Sequence, residues 1–470
     1  MNRKVAFFIS NFSYTLTANI VTFLVSAVTI AIVPKVLGVE EYGYFQLYLF
    51  YTSYVIFFHL GIPNGIYLRY GGKEYKELNK NLFTSQFWMM TAYVFIVTVI
   101  GSMTAYFFLG SEKKVLILLL TNLCALIIIP RDFILLMFQA TYRIKDYVKA
   151  TIIDRIVYVS FTVILLAIGS RAYVSLVLAD LLGKGIALTW LLFQCRDMVF
   201  VKISHWKQGL GEIIKNITSG GKILLSNIAD MMIIGIIRMG IEYKWNIETF
   251  GKVSLTLSLS NLMMVIINAV SVVIYPMLRR TTKEELPKLY SILRNILMIP
   301  LLGMMIIYYP VKQILGVWLP NYADSLIYIA LLFPICVYES KMSMLVNTYL
   351  KSLRKEAWIL IVNLIAVLLS FLCSFVTLYF LNSLTLTLVS IVFVLAFRCI
   401  FAEILLSKKI NIKINKDIIL ELIMCIVFMI TGWLIHSYIS MLLYAACYLV
   451  YLFIKKKDII EAIHEVKSIA

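Results

Sequence analysis

The stretch Val33-Pro34-Lys35-Val36-Leu37-Gly38-Val39-Glu40-Glu41-Tyr42-Gly43, continued to Leu60-Gly61-Ile62-Pro63-Asn64-Gly65 and Arg69-Tyr70, decides how the rest of the chain is read. Pro34 and Gly38 close one long apolar run, because proline cannot continue a helix and glycine readily ends one. A short acidic-aromatic turn follows. A second apolar run then reaches a Gly61-Ile62-Pro63 break and ends at Arg69. The pattern returns about 208 residues later as Ile247-Glu248-Thr249-Phe250-Gly251, with Pro276 and Arg279-Arg280 closing the next run. A second pair keeps nearly the same offset: Arg143-Ile144-Lys145-Asp146-Tyr147 and Arg354-Lys355-Glu356-Ala357-Trp358. Two matches at one offset indicate a duplicated unit.

Working outward, 61% of the 470 residues are hydrophobic and the mean hydropathy is +0.91. Soluble domains are only ~45–50% apolar. Apolar runs of about twenty residues, the length that crosses a bilayer, recur throughout. The pattern predicts an all-α polytopic membrane protein with fourteen spans, from 11–34 to 438–454. The first run continues to Val33 without a small-residue cleavage site, so it reads as a span and not as a signal peptide. The formal net charge is +18. With both termini placed in the cytoplasm, most Lys and Arg fall on that side, as the positive-inside rule requires. The excess charge is thus an orientation signal suited to anionic lipid and does not call for nucleic acid. The seven cysteines show no CxxC pair and read as small hydrophobes; the four histidines are scattered, so no metal site or cofactor is expected.

Four regions are expected: a six-helix bundle over 1–194, a connection over 195–216, a second six-helix bundle over 217–406, and a loop, two helices and tail over 407–470. The connection places Val199, Ile203, Trp206, Leu210 and Ile213 at helical spacing among Arg196, Lys202, Lys207 and Lys215. That suits an amphipathic helix on the cytoplasmic interface, with a plain linker as the bland alternative. Six spans per unit is an even number, so both units insert with the same orientation, and substrate sites in such proteins lie between the halves.

A charge at mid-membrane costs at least ~2.5–3.5 kcal/mol, which makes each one a functional candidate. Arg131, beside Asp132 and after Pro130, sits roughly 5 Å from the centre of its span at 1.5 Å per residue. The repeat offset maps it onto Glu339 to Lys341, which follow Pro334. Asp180, Lys184, Lys222, Asp230, Arg238 and Arg398 complete the expected substrate-binding set; Asp154, Arg155 and Glu403 are further charges within spans. The intraspan tally of seven cations to six acids leaves open that pairing between helices accounts for most of them. No GxSxG, HExxH or P-loop occurs, and the outside loops are too short to carry a catalytic centre. An enzyme is therefore not expected.

The Pro34 to Tyr70 motifs resemble the N-terminal signature of bacterial polysaccharide flippases, within the multidrug/oligosaccharidyl-lipid/polysaccharide exporter superfamily. Asp230, Gly235, Glu248 to Gly251, and Val272-Val273-Ile274-Tyr275-Pro276 are similar to that family's second half. Lys35 and Val36 depart from it, since members commonly carry arginine near that point. The resemblance implies a flippase of the bacterial cytoplasmic membrane, carrying an undecaprenyl-pyrophosphate-linked oligosaccharide to the outer leaflet by alternating access. Such proteins serve O-antigen or capsule assembly. Partners would be that lipid-linked oligosaccharide, membrane lipids and other polysaccharide-assembly proteins, with proton or sodium coupling open. Arg131, Lys184, Lys222, Arg238, Lys341 and Arg398 are the cations available to a pyrophosphate. A multidrug-type exporter and, further off, a polysaccharide polymerase or ligase are the alternatives.

Overall fold

The computed structural model describes residues 3–201, 206–280, 284–435 and 438–461, and no strand occurs among them. Two compact units divide the chain, Met1–Ile228 and Ala229–Ala470. In the first, the punctuation of the opening stretch becomes helix boundaries. Helix α1 (Arg3–Val36) carries Pro34 in its last turn, and Gly38, in extended conformation, caps α2 (Val39–Tyr54). The short turn 55–59 leads to Leu60 and Gly61, both left-handed (φ 53° and 81°), and α3 (Ile62–Tyr70) starts with Pro63 in its first turn. The helix path bends by 58° at this point. There follow α4 (Lys80–Phe108), α5 (Glu112–Ala140), α6 (Ile144–Ala167), α7 (Tyr173–Gln194), α8 (Arg196–Val199) and α9 (Trp206–Lys244).

The division between units falls inside α9, a helix of 39 residues. The segment 195–216 is split between two helices. Val199 on α8 is 2% exposed, and its carbonyl accepts from Trp88 Nε1 at 2.8 Å. Trp206, Leu210 and Ile214 stand exposed on one face at the start of α9, while Ile213 is buried. Ile203 lies outside the described residues.

The second unit takes the rest of α9, whose Ile233, Ile237 and Ile241 enter its core at four-residue spacing. It continues with α10 (Ile247–Arg280), α11 (Leu286–Met304), α12 (Tyr308–Trp318), α13 (Ala323–Leu326), α14 (Tyr328–Leu332), α15 (Ile335–Ser340), α16 (Asn347–Ser352), α17 (Glu356–Phe375) and α18 (Leu384–Ile410). A π-helical turn, Lys341–Val346, lies between α15 and α16. Helices α19 (Asn415–Leu434) and α20 (Tyr438–Ile454) join the same core. There the Phe428 ring packs 5.2 Å from Tyr308 and 5.4 Å from Tyr444.

Among the described residues, eleven helices are long and apolar enough to cross a membrane, twelve with the bent pair around Gly61. The expected fourteen would add α10 and the seventeen-residue α20. The membrane character shows in how side chains are sorted. Along α17 the buried positions are Ile359, Val362, Asn363, Ala366, Ser370 and Ser374, mostly small or polar, while Leu364, Leu368 and Phe371 are exposed. Small and polar groups facing helices and large apolar groups facing outward is the pattern lipid imposes. Helices also recur at matching spacing. Helix α1 ends at Val36 and α9 at Lys244, while α2 starts at Val39 and α10 at Ile247, in each case 208 residues apart.

Candidate functional site

The opening motif organises both ends of the first unit. Glu40 and Glu41 sit in the first turn of α2, where the helix dipole favours acids. Glu40 meets Lys113 at 2.8 Å, and Glu41 accepts the backbone N–H of Tyr173, the first residue of α7, at 2.8 Å. Lys113 also lies 4.6 Å from the centre of the Tyr44 ring. The acid pair thus ties the start of α2 to those of α5 and α7. Near the opposite end, α3 is pressed against α9. A Cβ on Gly65 would stand 2.1 Å from the Asn216 carbonyl oxygen, and one on Gly220 2.1 Å from that of Gly61. Arg69 closes this contact through Glu212 at 2.5 Å and Asn216 Oδ1 at 2.6 Å, and Asn216 donates to Gln86 at 2.7 Å. These motif residues are scaffold.

Beside them, Asp197 on α8 accepts from Tyr75 at 2.9 Å and pairs with Lys80 at 2.6 Å. Partial burial works against its charge, yet the bonds from Lys80 and Tyr75 hold its carboxyl below the usual aspartate range. Burial, with help from Asp197, pushes the Tyr75 hydroxyl up.

The intramembrane charges of the first unit form two groups. Arg131 on α5 reaches Asp154 on α6, Nη1 to Oδ2 at 2.9 Å. It does not turn to Asp132, since consecutive helical positions diverge by about 100°. Arg131 Nε and Asp154 Oδ1 are buried without a hydrogen-bond partner, an uncommon state for polar atoms. In the second group, Tyr48 donates to Asp180 at 2.7 Å, Lys184 pairs with Asp180 one turn along α7, and the Lys184 ammonium lies 3.8 Å from Cys124 Sγ. Gly183 brings α7 onto α6: a Cβ there would stand 2.8 Å from the Asp154 carbonyl oxygen. Lys222 is exposed on α9.

In the second unit, Arg398 on α18 is the hub of one cluster. Its Nε donates to Asn363 at 3.0 Å, Nη1 to Glu339 at 2.8 Å, and Nη2 pairs with Asp230. The Arg398 side chain is 3% exposed and that of Asp230 47%, so the acidic side of the cluster is accessible. Arg238 stands apart from it, donating to Ser254 at 2.9 Å over the Phe250 ring.

A second cluster there went unseen in the sequence. Arg294 on α11, 2% exposed, meets Glu403 at 2.9 Å, Glu421 at 2.7 Å and Asp417 at 3.3 Å. Lys341, at the start of the π-helical turn, pairs with the same Glu403 and, at 2.7 Å, with Glu421. Tyr290 donates to Glu403 at 2.8 Å, and Lys455 reaches Asp417 at 2.8 Å. Opposite charges compensate within this network, which links α11, the π-turn, α18 and α19. Of the expected set, Asp230, Glu339 and Arg398 come together, as do Asp180 and Lys184. Arg131 finds Asp154, with Asp132 in electrostatic reach of both, and Lys341 belongs to the buried network; Lys222 makes no ion pair among the described residues.

This combination, an all-α body of apolar helices with ionisable clusters buried inside each of two units, defines a polytopic membrane protein. The chain belongs to the polysaccharide biosynthesis protein family, whose model matches residues 8–282. Among solved structures it is similar to a lipid II flippase, MurJ, in an inward closed conformation, with TM-score 0.65 and 12% identity over 96% of this chain and 100% of that one. It is also similar to an inward-facing multidrug resistance MATE transporter of the MOP superfamily, with TM-score 0.58 and 12% identity over 84% of this chain and 98% of that one. A MATE in complex with MaD3S aligns with TM-score 0.55 and 13% identity over 86% and 95% of the two chains. No curated protein matches by sequence. The fold is that of the exporter superfamily named by the resemblance.

Proposed function

We propose that the chain is a flippase that moves an undecaprenyl-pyrophosphate-linked oligosaccharide from the inner to the outer leaflet of the bacterial cytoplasmic membrane, for polysaccharide assembly. The observation that carries this reading is membership of a polysaccharide biosynthesis family, joined to a fold shared over nearly the whole chain with a lipid II flippase. Matching helix boundaries 208 residues apart support a duplicated body and alternating access. In this reading both termini are cytoplasmic and the carrier is not an enzyme.

The charge geometry narrows which cations could meet a pyrophosphate. Lys341 is saturated by two carboxylates, and Lys184 is held by Asp180. Arg131 has an unused, buried Nε, and Lys222 is exposed without an ion pair among the described residues. These two are the cations best placed to accept a new anion; Arg398 would first have to release a carboxylate. A multidrug-type exporter of organic cations is favoured by one feature, the accessible Asp230 beside Glu339.

Depletion of the protein in cells tests the proposal. Lipid-linked oligosaccharide should accumulate where a membrane-impermeant glycan label cannot reach it, and re-expression should restore labelling. Unchanged labelling on depletion, with raised sensitivity to cationic drugs instead, would favour the exporter.

A further inference from the structure

Within the second unit, α12, α13 and the facing ends of α19 and α20 line a recess of about 240 Å³. Its walls include Tyr308, Lys312, Gln313, Gly316, Gly432 and Ser440. The charge distribution along the chain puts this end of the unit on the outer side of the membrane. Lys312 is half-buried and makes no ion pair among the described residues; its ammonium lies 5.8 Å from the centre of the Tyr308 ring. Gln313 beside it is exposed and lines the same recess. A cation near a span end ordinarily extends to water and has no need of a recess. Here the ammonium lines a walled space, and the first turn of α20, the positive end of that helix, lines it as well.

We infer that this recess binds the phosphate headgroup of an anionic phospholipid of the outer leaflet, with Lys312 as the counter-charge and Gln313 as a donor to the headgroup. The recess is of the size of a phosphoglycerol group, with the acyl chains left in the bilayer. The tyrosine wall suits the boundary between apolar tails and polar headgroups. Nothing in this assignment depends on the transported substrate.

The full-length protein in nanodiscs of equal phosphatidylglycerol and phosphatidylcholine supplies the test, with retained lipids counted by native mass spectrometry. The wild type should retain phosphatidylglycerol in preference. Lys312→Gln should reduce that preference about fivefold, the worth of one basic residue at an anionic surface, and Lys312→Arg should keep it. Gly316→Leu should also abolish it by filling the recess. A Cβ at Gly316 meets nothing within 4 Å, so that variant is expected to fold. Equal retention of both lipids, or a preference unaltered in Lys312→Gln, would overturn the inference. Undecaprenyl pyrophosphate held at Lys312 and not displaced by phosphatidylglycerol would overturn the phospholipid assignment.

Discussion

Adjacent glycines on α9 offer an internally controlled perturbation. In Gly220→Ala the new Cβ would lie 2.1 Å from the Gly61 carbonyl oxygen and 2.4 Å from the Gly65 nitrogen. Both are backbone atoms, so no rotamer change relieves the clash, and α3 and α9 must part by about an ångström to regain ordinary contact. That movement stretches the bonds from Arg69 to Glu212 and Asn216, now 2.5 and 2.6 Å. Overpacking costs ~1–3 kcal/mol, and a buried polar group left unpaired adds ~1–3 kcal/mol. Against the ~1 kcal/mol that alanine gains over glycine in a helix, a net loss of about 1–5 kcal/mol is expected. In Gly221→Ala the Cβ meets nothing within 4 Å, and the change should gain up to ~1 kcal/mol of helix propensity. Thermal unfolding in detergent, followed by tryptophan fluorescence, should therefore show a large fall in midpoint for Gly220→Ala and none for Gly221→Ala. Equal midpoints in the two variants would refute the close α3–α9 contact.

Further outcomes follow from the same structure. Arg294→Met should destabilise the second unit by ~3–5 kcal/mol, because it leaves Glu403 and Glu421 buried with one cation fewer; urea titration reads this, and wild-type stability would contradict the network. A cysteine at Ser170 should label from outside and one at Lys145 only from inside; the reverse at either site would overturn the orientation. The Asp197 contact should be insensitive to pH across the neutral range. A carboxyl held below its ordinary value stabilises the fold above that value, and the stabilisation is lost as pH falls through the lowered one. The protection factors of residues 195–199, with the intrinsic pH dependence of amide exchange divided out, should thus stay constant from pH 8 to ~5 and fall only in stronger acid; a fall near neutrality would contradict this.

The spans and their breaks were legible because apolar runs, Pro34, Gly38 and the Gly61-Ile62-Pro63 break act locally. What the opening motif does was not legible, because its partners are distant: Glu40 finds Lys113, 73 residues away, and Arg69 finds Glu212, 143 residues away. Arg131 was read beside its sequence neighbour Asp132, although helical geometry turns consecutive side chains apart and α6 supplies Asp154. Lys341 was weighed with Glu339 as one pair. The two engage different partners, Glu339 with Arg398 and Lys341 with Glu403 and Glu421. Arg294 stood out in no sequence pattern. Only the packing of α18 and α19 around it reveals a buried charge.

In the proposed function the protein moves a lipid-linked oligosaccharide with help from Arg131. Proteoliposomes containing labelled undecaprenyl-pyrophosphate oligosaccharide, with label in the accessible leaflet quenched over time, measure this directly. The wild type should render the inner-leaflet pool accessible. Arg131→Ala should stop this while still inserting, and Arg131→Lys should restore part of it, keeping the charge without the bidentate fork. Arg131→Ala/Asp154→Ala should remain inactive if the guanidinium meets substrate. Recovery of flipping in that double variant would make the pair a structural tie, and wild-type protein that moves no lipid-linked oligosaccharide would contradict the account itself.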